Sequence, residues 1–166
     1  MSDLIESLVE KVSAYSIFNF LLPGVIFATT FELITQFTVF TGNIIVDIVI
    51  TYFTGMVLSR IGSLVVEPIF KSIRIIKFAQ YEDYLTAEKK DSKLITLLQE
   101  NNIYRNMTTV FLTLLIVKIG MPIQQNFPNF HLYFNWVWPI ALLFLFAISY
   151  RKQTAYIHKR ITTNKK

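Results

Sequence analysis

An all-α integral membrane protein with four transmembrane helices is the fold class this sequence predicts, on three observations. Hydrophobic residues make up 53% of the 166-residue chain and charged residues 16%, where a soluble domain carries roughly a quarter charged. The missing charge is concentrated in apolar stretches at residues 17–40, 44–66, 107–123 and 134–150, each near the ~20 residues a helix needs to cross a ~30 Å hydrocarbon core. Polar and apolar residues nowhere alternate over the ~10-residue units of a membrane barrel, and lipid offers no partner to an open strand edge. The mean hydropathy of +0.47 argues against a soluble enzyme, a disordered tail and a nucleic-acid-binding domain alike. With no cysteine and two distant histidines, His131 and His158, disulfides, thiolate metal sites and zinc chemistry have no residues to work with.

The chain opens with residues 1–16, where Leu4, Ile5, Leu8, Val9, Val12 and Tyr15 recur at helical spacing. Ser2 or Asp3 can cap this amphipathic helix, and its polar face is acidic, with Asp3, Glu6 and Glu10 against Lys11. Docking on protein therefore suits it better than docking on anionic lipid. No basic n-region precedes an apolar core and cleavage site, so a removed signal peptide is not expected.

Residues 17–66 form a hairpin of spans one and two. Near its start Pro23-Gly24 predicts either a helix beginning at Pro23 or a longer helix kinked there. Span two carries Thr51, Gly55, Ser59 and Ser63 at four-residue steps, with Gly62 alongside. Small residues so placed let another helix approach closely, within one subunit or between subunits of a homo-oligomer.

A central segment, 67–106, follows with the sequence EPIFKSIRIIKFAQYEDYL at its head. Lys71, Arg74 and Lys77 recur there every three residues, which predicts a basic juxtamembrane helix lying on the lipid bilayer or binding a phosphate ligand. Residues 107–150 supply spans three and four, and 151–166 form a basic tail. The turns at 41–43 and 124–135 contain no Lys or Arg, whereas the central segment and the tail are rich in both. Both termini and the middle segment are accordingly expected on the cytoplasmic side. Tyr133, Phe134, Trp136 and Trp138 fit the outer interface, and Tyr15, Tyr104 and Tyr150 the inner one.

Charges inside spans are costly, on the order of 2.5–3.5 kcal/mol each at the helix centre, and so mark structure or function. Glu32, Asp47 and Lys118 fall in the outer half of the expected spans, within reach of a Lys118 pairing with either carboxylate. Arg60 lies nearer the inner side and can snorkel. These four are the candidate pore or gate residues. No HExxH, GxSxG, P-loop or nucleic-acid motif is present, so no enzyme and no cofactor is expected.

FLLPG at 20–24, SRIGSLVVEP at 59–68, KFAQYEDYL at 77–85, NNIYRN at 101–106 and SYRKQT at 149–154 together resemble a family of small uncharacterised bacterial four-span membrane proteins. That resemblance implies a bacterial inner (cytoplasmic) membrane and brings no catalytic residues. In size and span count the chain is also similar to membrane subunits of anti-phage defence systems. This similarity implies a homo-oligomeric ion channel or sensor gated by a cytosolic protein or nucleotide ligand. A pore-free membrane anchor or scaffold that recruits a cytosolic protein is the alternative.

Overall fold

The computed structural model describes residues 14–88, 90–91, 93–124, 140–152 and 154–155, and among them it is helical with no strand. Helix α1 joins Ala14–Ser16, a π-helical turn Ile17–Leu21 and Leu22–Thr35; α2 joins Ile44–Ile61, a second π turn Gly62–Val66 and Glu67–Ser72. Two further helices follow, α3 at Tyr81–Glu88 and α4 at Lys93–Gln124, and residues 140–152 form α5. Among the described residues, three helical stretches are long and apolar enough to cross a membrane: Ile17–Thr35, Ile44–Ser72 and Lys93–Met121. Of the expected fourth span, residues 140–150 are described, and they are helical within α5. Expected features at residues 1–13, at Tyr133, Phe134, Trp136 and Trp138, and beyond residue 155 lie outside the described residues.

Several expected boundaries move, each for a local reason. Span one ends at Thr35 rather than at Phe40, because Gln36 adopts a left-handed conformation (φ 61°) and its N–H closes the helix on the Glu32 carbonyl at 2.8 Å. Spans two and three run further than their apolar stretches. Arg105 and Asn106 occupy the interior of α4, so the segment drawn at 67–106 is shared between the end of α2, the connection through α3 and the first turns of α4.

The expected basic helix over Lys71, Arg74 and Lys77 does not form. Helix α2 ends at Ser72 in a Schellman motif, with Ile75 N–H donating to the Phe70 carbonyl (2.9 Å) and Arg74 N–H to that of Lys71 (3.1 Å). Arg74 takes the left-handed position (φ 62°), and residues 76–80 continue without helix. The three cations therefore share no helical face. The β-branched run Ile73, Ile75, Ile76 gives the helix little intrinsic support against this reversal. Because a non-glycine residue pays steric strain in that conformation, Arg74→Gly is expected to raise stability by about 1 kcal/mol and Arg74→Val to lower it, read as opposite shifts of the thermal midpoint in detergent.

Both π turns stand just before a proline. Leu22 N–H donates to Ile17 O and Glu67 N–H to Gly62 O, each five residues back, and Pro23 and Pro68 follow directly. A proline ring collides with the carbonyl four residues earlier in an α-helix, and a wide turn relieves that crowding. Of the two alternatives at Pro23, the longer helix is the one observed: α1 runs from Ala14 through the proline, with the π turn directly before it.

The core lies between α1, α2 and α4, where Leu58, Val110 and Leu114 are buried against Ile26, Phe27, Phe31 and Ile34. Phe20 meets Tyr52 edge to face at 5.6 Å, and Phe53 stacks on Phe146 of α5 at 6.1 Å. Gly24 and Gly55 bring the first two helices into backbone contact. A Cβ added at Gly24 would lie 1.8 Å from Thr51 O, and one at Gly55 would lie 1.8 Å from Phe20 O.

Candidate functional site

Two polar regions stand at opposite ends of the α1–α2 hairpin. At the end that carries the connecting loop, the candidate gate carboxylates hold that loop. One Glu32 oxygen, Oε1, accepts from the backbone N–H groups of Val39 and Phe40, the latter at 3.0 Å. Asp47 Oδ1 accepts from Thr41 N–H at 2.8 Å and from the Thr41 hydroxyl at 2.9 Å. Asn43 caps α2 by accepting from Ile45 and Val46. With α1 ending at Thr35, Glu32 sits in its last turn. Lys118, which the spacing put within reach of either carboxylate, is exposed and forms an ion pair with neither Glu32 nor Asp47. Its neighbours Leu115, Ile116 and Ile119 are exposed as well.

At the opposite end, polar groups from four helices converge. The Asn106 amide of α4 is fully buried, and its Nδ2 donates to Asn19 O at 2.8 Å and to Asn19 Oδ1 at 2.9 Å. The backbone acceptor fixes which way this amide points. Pro23 has no N–H to offer the Asn19 carbonyl four residues before it, so the side chain of another helix supplies the donor. A parallel arrangement occurs on α2. The Ser63 carbonyl loses its α-helical donor because Glu67 N–H turns to Gly62, and its π-helical donor because residue 68 is proline. Lys152 of α5 donates to that carbonyl at 2.7 Å and to the Ser63 hydroxyl at 2.9 Å.

Around these pairs lies a charged cluster. Glu67 accepts from Lys71 at 2.8 Å and from Arg105 at 3.3 Å, and these are the ion pairs among the described residues. Burial holds the Lys152 ammonium below the ordinary lysine range; Glu67 opposes that shift, and the charges of Arg105, Lys71 and Arg60 add to it. Four cations therefore act on a region with one carboxylate, whose two oxygens are both engaged. Arg105 Nε and Asn106 Oδ1 are buried with no hydrogen-bond partner. One turn earlier along α4, Asn102 donates to the Tyr15 hydroxyl at 3.0 Å.

Of the small residues in α2, Thr51, Gly55, Ser59 and Gly62 are buried and Ser63 is half-buried. Thr51 and Gly55 touch α1, a Cβ on Gly62 would meet Thr109 Oγ1 of α4 at 2.6 Å, and Ser63 holds Lys152. Asn19, Asn102, Asn106 and Lys152 were not among the residues singled out from the sequence. The signal available for them is spacing: Asn19 stands four residues before Pro23 and Ser63 five before Pro68, inside otherwise apolar helices.

These features define an all-helical protein with three helices able to cross a bilayer and a buried polar cluster at one end of them. No family model matches the chain, and neither does any curated protein or solved structure.

Proposed function

We propose that this chain is a four-span, non-catalytic protein of a bacterial inner membrane, with both termini cytoplasmic, whose working surface is the polar cluster at the inner ends of the helices. It acts there as an anchor that receives a cytosolic protein or an anionic nucleotide ligand. One observation carries this reading. Lys71, Arg105 and Lys152 surround a single carboxylate, Glu67, and Arg60 acts on Lys152, in a region built from separate helices, so an incoming anion or acidic surface would meet surplus positive charge and act on several helices together. The quoted segments at 59–68, 101–106 and 149–154, on which the resemblance to four-span bacterial proteins rests, all contribute to this cluster. Because the chain has no cysteine, single cysteines at Thr41 and Lys166 report topology against a blank background. Labelling of Thr41→Cys from outside and of Lys166→Cys only after permeabilisation is expected; the reverse pattern would defeat the assignment of sides.

A second reading, a homo-oligomeric channel serving as an anti-phage membrane effector gated from the cytosol, draws on Lys118. This exposed cation stands among exposed apolar side chains and pairs with neither nearby candidate carboxylate, and a water-filled axis between subunits would accommodate it. Ion flux through the protein in sealed liposomes separates the two readings. The anchor leaves vesicles tight with or without extract from infected cells. Extract-dependent flux that is lost in Lys118→Ala but kept in Glu32→Ala would instead establish the channel, because Glu32 serves the loop.

A further inference from the structure

We infer that the cleft between the end of α2 and the first turns of α4 binds an anionic phospholipid of the inner leaflet, with its acyl chain in the cleft and its phosphate at the mouth. The cleft has a volume of about 530 Å³, within the roughly 300–1,000 Å³ of small-ligand sites. Phe70, Ile75 and Phe78 form one wall and Leu94, Leu97 and Leu98 the other. Its two walls belong to different kinds of structure. The α4 side chains follow helical spacing, whereas the opposite wall exists because the Schellman turn at Arg74 folds Ile75 and Phe78 back beside Phe70.

The occupant follows from charge and position. Lys77 and Arg105 line the cleft together with Glu67, Asn101 and Tyr104, and Lys71 holds its ammonium 4.2 Å from the Phe78 ring centre. Among the described residues Lys77 forms no ion pair, and both Glu67 oxygens are already engaged by Lys71 and Arg105. A hydrophobic cleft with a cationic mouth matches a ligand with an apolar tail and an anionic head; a neutral apolar peptide would leave the mouth charge unanswered. The cleft is also continuous with the bilayer in this reading, because α2 and α4 are both among the helices long enough to cross it. Basic side chains at such a level favour anionic headgroups. The inference rests on the orientation proposed above, which cysteine labelling tests separately, whereas the binding measurement below is made in detergent and needs no orientation.

The test uses the full chain in a mild detergent, titrated with short-chain phosphatidylglycerol, short-chain phosphatidylcholine and inorganic phosphate, with bound species counted by native mass spectrometry. Phosphatidylglycerol is expected to bind at least tenfold more tightly than phosphatidylcholine. Lys77→Glu, at an exposed position, should weaken it about 25-fold, as expected for reversing one charge worth about a kilocalorie at an anionic surface. Leu98→Trp should weaken both lipids by filling the cleft, and Leu97→Glu provides a second obstruction if that variant does not fold. Equal affinity for the two lipids, or competition by inorganic phosphate at comparable concentration, would overturn the proposal. So would unchanged binding in Lys77→Glu, or a tenfold gain on deleting residues 2–13, which would show the cleft to be the seat of the chain's own acidic N-terminal segment.

Discussion

Gly55→Ala is expected to be the most damaging single-methyl change in this protein, costing at least about 3 kcal/mol, the upper end of overpacking penalties. The new Cβ would lie 1.8 Å from the Phe20 carbonyl oxygen and 2.6 Å from its carbon. Backbone atoms cannot rotate aside as a flexible side chain does, so the two helices themselves must separate. Separation opens Thr51, Ala28 and the Phe20–Tyr52 contact together. Gly120→Ala is the control, because nothing lies within 4 Å of a Cβ there and alanine is the better helix former by roughly 1 kcal/mol. Thermal unfolding in detergent should show the Gly55 variant far below wild type and the Gly120 variant at or above it. Gly24→Ala meets the same interface from the other side, at Thr51 O. The double variant should therefore cost clearly less than the sum of the two, since helices already forced apart have room for a second methyl group. A Gly55→Ala protein that melts with wild type would show that this hairpin does not pack as described.

That hairpin also shows what could be read in advance. The three long apolar helices were legible because lipid-crossing segments are dictated by length and composition, and the chain has little else to bury. The positions of Thr51, Gly55, Ser59 and Gly62 were legible as a close-packing stripe, but which helix packs there is a tertiary fact. Helix ends were least legible. Span one stops at Thr35 although apolar residues continue to Phe40, because Glu32 bonds the loop N–H groups and Gln36 turns left-handed. The basic steps Lys71, Arg74 and Lys77 look helical by spacing, yet a reversal through Arg74 lets Ile75 and Phe78 line the same cleft as Phe70. Charge draws attention to Glu32, Asp47 and Lys118, whereas the buried cluster is organised by neutral amides and by carbonyls that lose an ordinary helical donor to a proline. Such carbonyls carry no signature in composition. They follow only from placing Pro23 and Pro68 on helices and asking where the displaced hydrogen bonds go.

The Asn19–Asn106 pair turns that reasoning into a quantitative expectation. Asn106→Leu removes both donors that reach Asn19 and strands a main-chain and a side-chain acceptor, in a site where Asn19 is only 3% exposed. Each stranded buried acceptor costs about 1–3 kcal/mol, so the variant should lose about 2–5 kcal/mol. The cause proposed for the contact is the N–H that Pro23 lacks. Pro23→Ala restores a donor four residues after Asn19 and lets that carbonyl bond within its own helix. In the Pro23→Ala background, Asn106→Leu should then cost about 1 kcal/mol less than in wild type, a coupling above the ~0.3–0.5 kcal/mol scatter of independent sites. Asn19→Ala with Asn106→Leu is a further check, since removing the side-chain acceptor together with its donor should recover part of the loss. Chemical denaturation of the four Pro23 and Asn106 combinations in one detergent measures the coupling directly. Strict additivity would mean that Asn106 stabilises this end of the bundle by packing alone, and that the π turn at Ile17–Leu21 already satisfies the Asn19 carbonyl by itself. A coupling of the expected sign would tie the proline, the π turn and the amide into one device. It would also predict that groups binding beside Arg105 and Asn106 act on α1 through the same carbonyl.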